Sequence, residues 1–284
     1  MNASSLVNPA AYARRIRRLP HVQRCKDWLA AHEIPTNPEQ WRIRQLRDRH
    51  RGQRAFVLGN GPSLQIADLA RLQGEITFAS NKIYLAFDQT SWRPTYYSVY
   101  DVLVAQNNRD FIRSLDLVHI HGSFVRQALG EDRGYTYIED LQNAMELSPP
   151  VFGFSENMLK GAYGGYSVIY LQLQLAYYMG IRRVYMIGVD FSFNVPASIK
   201  TQSTTELGEQ ILRSASEVNH FHPDYRTPGE PWTMPKLEYQ KLAFARARRA
   251  FEDGGGALYN ASRRSELEVL ERVEFDDVLP TRGA

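Results

Sequence analysis

The chain has a single cysteine, Cys25, among its 284 residues. One cysteine excludes an internal disulfide and fits a reducing compartment. There is no run of 18 apolar residues and no secretory or transit signal, so neither a spanning helix nor export is expected, and the reading is cytoplasmic. No Gly-Lys-Ser/Thr follows the glycines, which excludes a P-loop, and the third glycine of the dinucleotide fingerprint is missing. Repeats and low-complexity tracts are absent as well. The length suits one domain with embellishments.

Net charge is small, at +3, but unevenly spread: residues 1–54 carry 12 Lys/Arg against 4 Asp/Glu. The stretches "YARRIRRLPHVQRCKDWLAAHE" and "WRIRQLRDRHRGQR" interleave arginines with Tyr12, Ile16, Trp28, Trp41 and Ile43. Two readings stay open. The first is helices that cap the domain with a solvated arginine face. The second is an interfacial element drawn to anionic lipid, which would put the protein at the inner membrane's surface, or to an acidic acceptor. No nucleic-acid motif accompanies the charge, so nucleic acid is not an expected partner.

From residue 54 the pattern changes. Short apolar runs, at 54–58, 75–80, 94–101, 115–122, 182–191 and 256–262, alternate with helical spacings. The longest of these spacings are "SVIYLQLQLAYYMG" (167–180), closed by Gly180, and "KLEYQKLAFARARRAFEDGG" (236–255). Strands alternating with helices predict an α/β protein with a doubly wound, Rossmann-like, mostly parallel sheet. The expected organisation is a basic helical extension over 1–53 and a Rossmann-like domain over 54–284. Residues 123–161 read as a loop-rich excursion, and residues 192–235, polar and rich in Ser, Thr and Pro, as a lid.

The stretch "RAFVLGNGPSLQIADLARL" (54–72) runs a strand into Gly-Asn-Gly-Pro-Ser and then into a helix. Glycine permits close approach to the main chain. Pro62 and Ser63 suit a helix start. Such a corner offers free N–H groups to a phosphate, and a purely structural tight turn is the alternative. Ligands of open α/β sheets bind outside the strands' carboxyl ends. The residues there are Gly59, Asn60, Gly61, Pro62, Ser63, Ser80, Asn81, Asp101, Asp190, Ser192 and Asn260. This is a row of small polar groups with little charge, suited to a sugar or nucleoside. Asp190 either binds a hydroxyl or anchors the loop after its strand.

The lid contains "NHFHPDYRTPGEPW". His220 and His222, beside Asp224 and Tyr225, are candidate bases because histidine titrates near neutral pH. His-X-His with Asp224 could join His119 and His121 at a metal, but no further His/Cys cluster completes such a site, so no metal is expected. Packing by the lid's own contacts is the bland reading.

The blocks "FVLGNGPSL", "FASNKIYLAF", "RPTYYSVYD", "YSVIYLQLQLAYYMGIRRVYMIGVDFSF" and "NHFHPDY" resemble a bacterial family found among surface-glycan genes. That family is labelled by its similarity to archaeal 6-hydroxymethylpterin diphosphokinases. The same block order is distantly similar to bacterial sialyltransferases that build lipooligosaccharide from CMP-sialic acid. The resemblance covers residues 54–262. It implies a metal-independent glycosyltransferase with no cofactor. The donor would be a CMP-linked ulosonic acid, sialic acid or Kdo, and the acceptor a surface glycan, glycolipid or protein. Asn60, Gly61 and Ser63 would hold CMP, Asn81 the nucleotide or leaving phosphate, and Ser167 the phosphate. Asp101 stands where those enzymes have asparagine, Ser192 where they have tyrosine, and Thr233 where they have the general-base histidine. The base would then be His222 or His220. The alternatives are pyrophosphate transfer from ATP to a hydroxymethylpterin and a binding protein without activity.

Overall fold

Six strands build the central sheet: β1 (Arg54–Leu58), β2 (Ile76–Ser80), β3 (Tyr96–Ser98), β4 (Arg183–Ile187), β5 (Ala257–Asn260) and β6 (Glu271–Arg272). Every pairing is parallel, and the spatial order is 3-2-1-4-5-6. The chain moves outward from β1 to β3, then crosses over to place β4 on the other side of β1. This is the doubly wound arrangement, with its switch point between β1 and β4. The computed structural model describes residues 20–131, 134–194, 201–204, 210–213 and 218–279.

The strands are apolar on both faces because both are covered. Ala55, Val57, Phe78, Tyr96, Val184 and Met186 face one core. Phe56, Leu58, Ala79, Tyr97 and Ile187 face the other. On the first side lie α4 (Val168–Tyr178) and α5 (Leu237–Asp253), and ten residues of α4 are buried. Gly180, at φ 83°, ends α4: its amide bonds Tyr177 and the next amide, of Ile181, bonds Ala176. Only glycine takes that left-handed conformation without strain.

The basic segment contributes α1 (Pro20–Ala31) and α2 (Pro38–Arg44). Ala30, Ile43 and Leu46 enter the same core as α4. Asn157 donates to Ala30 O at 2.8 Å, and Arg42 to Tyr135 O at 2.9 Å. Arg24, Lys26, Arg44, Arg47, Arg49 and Arg51 are exposed, as are Trp28 and Trp41. Residues 1–19 lie outside the described ones, so the reading of Tyr12 and Ile16 lies there too.

Two expectations change. The strand foreseen at 115–122 is only Ile120–Gly122, paired with Thr136–Ile138 and joined to β3 by one bridge, Tyr97 to His119. The helix after the glycine turn, α3 (Ile66–Arg71), starts at Ile66 with Gln65 in the cap position, so Pro62 and Ser63 do not open it. Of the lid, residues 201–204, 210–213 and 231–233 form a three-stranded antiparallel sheet that includes Thr233.

Candidate functional site

The switch point between β1 and β4 is where an open α/β sheet offers its crevice. Here the chain fills it. The Gly59 amide bonds Ile187 O and the Gly61 amide bonds Gly188 O, each at 2.8 Å. A Cβ at Gly59 would strike Gly188 O, and one at Gly61 would strike the Asp190 carboxylate. Ser63 donates its hydroxyl to Asp190 Oδ2 at 2.7 Å and its amide to both carboxylate oxygens, at 3.1 and 3.2 Å. The negative charge at this corner is the protein's own. Gly59 and Gly61 admit β4's end, and Ser63 and Asp190 clamp the turn. The structural-turn reading and the anchoring role of Asp190 fit these contacts. The free-amide phosphate corner does not, and a six-residue helix such as α3 adds little dipole.

Two other foreseen contacts are caps. Asp101 accepts from Leu103 N at 2.7 Å and Val104 N at 3.1 Å. Both bonds go to Oδ1, which satisfies a helix start. Ser167 caps α4 by accepting from Ile169 N at 3.3 Å. Ser192 is half-buried at the lid's beginning and Pro62 is exposed. Asn260 is fully buried and accepts from Ser262 N, bracing the loop after β5.

The ends of β1, β2 and β3, under α4, are different. Asn60 donates to Ser80 O at 3.2 Å and faces Ser80 Oγ at 3.3 Å. Gln172, from α4, donates to Ala79 O at 2.8 Å. Ser98 stands beside Ser80 in the β2–β3 register. Each leaves a buried oxygen with no partner among the described residues: Asn60 Oδ1, Ser98 Oγ and Gln172 Oε1, joined by Asn81 Oδ1. Native proteins pair such groups, and an exception asks for an explanation. Gln174 supplies the contrast. Equally buried and two residues on, it makes four hydrogen bonds, to Ser155 N, Tyr163 N, Tyr163 O and Tyr170 O.

Residues 220–230, within the segment expected to be a lid, contact these ends. Phe221 N donates to Asn60 O at 2.9 Å. The Tyr225 phenol, fully desolvated and therefore raised in pKa, faces donors on the Lys82 amide and the Asn81 side chain. His220 stacks flat on the Tyr225 ring at 3.7 Å. Lys82 Nζ lies 2.9 Å from both oxygens of Glu230, with little of either side chain exposed. Burial pushes the Glu230 carboxyl up, but Lys82 and the Thr227 amide outweigh it and hold the pKa below the usual range. His222 accepts the Asp224 amide on Nδ1 at 3.2 Å. In its neutral form the ring proton then sits on Nε2.

His119 and His121 lie apart from the lid, in an aromatic cluster with Tyr97, Tyr135 and Tyr137. Val99 N donates to His121 Nδ1 at 2.9 Å, the two rings meet at 3.2 Å, and His119 Nε2 meets Leu115 O at 3.0 Å. Only neutral rings complete that chain, and burial lowers both pKa values. Among the described residues no group of three His, Cys, Asp or Glu could hold a metal.

The sequence pattern of the MptE-like family, described as 6-hydroxymethylpterin diphosphokinase MptE-like, matches residues 30–196. The chain belongs to this family. The MptE-like match starts within the basic segment rather than at residue 54, consistent with Ile43 and Leu46 lying in the core. No curated protein matches the sequence. A solved structure, the MAf glycosyltransferase from Magnetospirillum magneticum AMB-1, is similar over 83% of this chain at 13% identity, with a TM-score of 0.45. The MptE-like chain spans 36% of that protein's length.

Sequence reading missed Ser98 and Gln172. The signal was there: a polar residue inside "YSVYD" and another inside "YLQLQLAYY", each facing a covered side of the sheet.

Proposed function

We propose that this MptE-like protein is a glycosyltransferase that takes a sugar from a nucleotide-activated donor, a CMP-linked ulosonic acid, and passes it to a surface-glycan, glycolipid or protein acceptor. The observation that carries the reading is the row of neutral, unpartnered oxygens at the ends of β1–β3. Such a lining suits hydroxyls and base edges. Of the strand-end carboxylates that a magnesium–triphosphate would want, Asp190 spends both oxygens on the turn and Asp101 spends Oδ1 on a helix cap.

Displacement at the anomeric carbon forms the acceptor's C–O bond as the bond to CMP breaks. The acceptor hydroxyl loses its proton to a lid histidine. Neutral His222, with its proton on Nε2, suits donating a hydrogen bond to the departing phosphate and keeps that proton, which leaves His220 to take the acceptor proton. Both flank Phe221, whose amide rests on Asn60.

The second reading, pyrophosphate transfer from ATP to a hydroxymethylpterin, is favoured by the family's description. Thermal unfolding separates the two. CMP at a hundredfold excess over its Kd adds about 2.7 kcal/mol, several degrees in Tm, while ATP with magnesium adds nothing. The reverse outcome sinks the sugar reading. His220→Ala should then abolish transfer while keeping the CMP shift.

A further inference from the structure

The structure assigns Gln172 and Ser98, with Asn60, to a subsite that reads hydrogen-bond donors on an uncharged part of the ligand. The donor is an exocyclic amine or a sugar hydroxyl. The inference rests on the nucleotide-sugar reading and specifies its recognition.

Gln172 and Ser98 are both fully buried. The orientation of the Gln172 amide is set by its environment, because Nε2 lies 2.8 Å from the Ala79 carbonyl, which only a donor can satisfy. Its oxygen therefore remains the acceptor. Asn60 repeats the arrangement one strand over, with Nδ2 on Ser80 O and the oxygen unpartnered. Ala79 and Ser80 are consecutive, and Ser98 is in register with Ser80. One short backbone segment thus gathers two amide oxygens and a hydroxyl. Ser80 and Ser98 point to the α4 side of the sheet, since they alternate with Ala79 and Tyr97, which face the other core.

The two amide oxygens accept only, so they favour N–H and O–H partners and reject a carbonyl, while the Ser98 hydroxyl can accept from the same donor. A site built to bond a donor discriminates strongly against an analogue lacking it, because its own polar groups are then stranded. Gln174, with every position filled, shows that α4 can satisfy a buried glutamine when packing alone is at stake.

The test is calorimetric titration of the full chain with CMP and with UMP, which differ by an amine against a carbonyl, for the wild type, Ser98→Ala and Gln172→Met. Ser98→Ala removes only an orphaned polar atom, so its ligand-free Tm should hold or rise by about 2 °C, whereas Gln172→Met also gives up the bond to Ala79 O and its Tm should fall by about 2 °C. CMP affinity should fall about tenfold in each. If CMP binding weakens and UMP binds the wild type poorly, the donor is the base amine. If both nucleotides bind the wild type alike and weaken alike in the variants, the donor is a hydroxyl. Wild-type CMP affinity in both variants overturns this subsite and leaves the sugar reading standing. No binding of either nucleotide to the wild type overturns both.

Discussion

The two sides of β1 make the most informative comparison in the molecule. Toward β4, Gly59, Gly61 and Ser63 look like an anion cradle, yet their amides bond Ile187, Gly188 and Asp190. Toward β2 and β3, ordinary residues leave Asn60, Ser98 and Gln172 with unused acceptors. Glycine marks a place where something comes close to the main chain. It does not say whether that something is a ligand or the next strand. Unsatisfied polarity in a dry place says more about a ligand, since it costs free energy that a partner would return.

Three substitutions would break or sharpen this contrast. The largest effect is expected from Gly61→Ala, whose methyl group would collide with the Asp190 carboxylate. Denaturant unfolding should show a loss of about 3 kcal/mol. A near-neutral result would mean that the turn stands open in solution. Glu230→Gln comes second, because it strands the Lys82 charge under the lid. It should weaken lid closure by about 2 kcal/mol, read as faster proteolysis within residues 218–233. In the wild type, Glu230 has a lowered pKa when closed and an ordinary one near 4.5 when released. Closure is therefore fully supported above about pH 4.5 and weakens as the pH falls through the lower, closed-state value. Proteolysis indifferent to both changes would remove the latch. Smallest is Asp190→Asn, which keeps an acceptor for Ser63 but drops the charge, at about 1 kcal/mol. If the turn has any anion affinity of its own, inorganic phosphate should raise the variant's Tm and leave the wild type's unchanged. No shift in the variant fixes the corner as structural.

How legible was this in the sequence? The sheet was, because strand runs apolar on both faces and a helix ended by Gly180 follow from burial and backbone geometry alone. The histidines at 220 and 222 were also marked by composition. The clamp was not. Ser63 and Asp190 are 127 residues apart, and nothing local to either tells that they meet. The helix start was misjudged because Pro62 and Ser63 are good first-turn residues, while the clamp holds the chain out of helical geometry until Ile66. The cap made by Asp101 was not distinguished from a ligand contact because capping and binding call for the same side chain. Gln172 escaped notice because periodicity classes a glutamine in an apolar helix as noise.

The position of Tyr225 has a last consequence. Its phenol takes the Lys82 amide and Asn81 side-chain donors at the end of β2, which under the proposed function are donors a ligand would use, and the Lys82–Glu230 pair holds the same stretch of chain. A tethered competitor is not diluted away. Measured affinity is the intrinsic affinity scaled by the fraction of molecules in which the tyrosine has swung out: a molecule vacant about 1% of the time binds about a hundredfold more weakly than its contacts alone would allow.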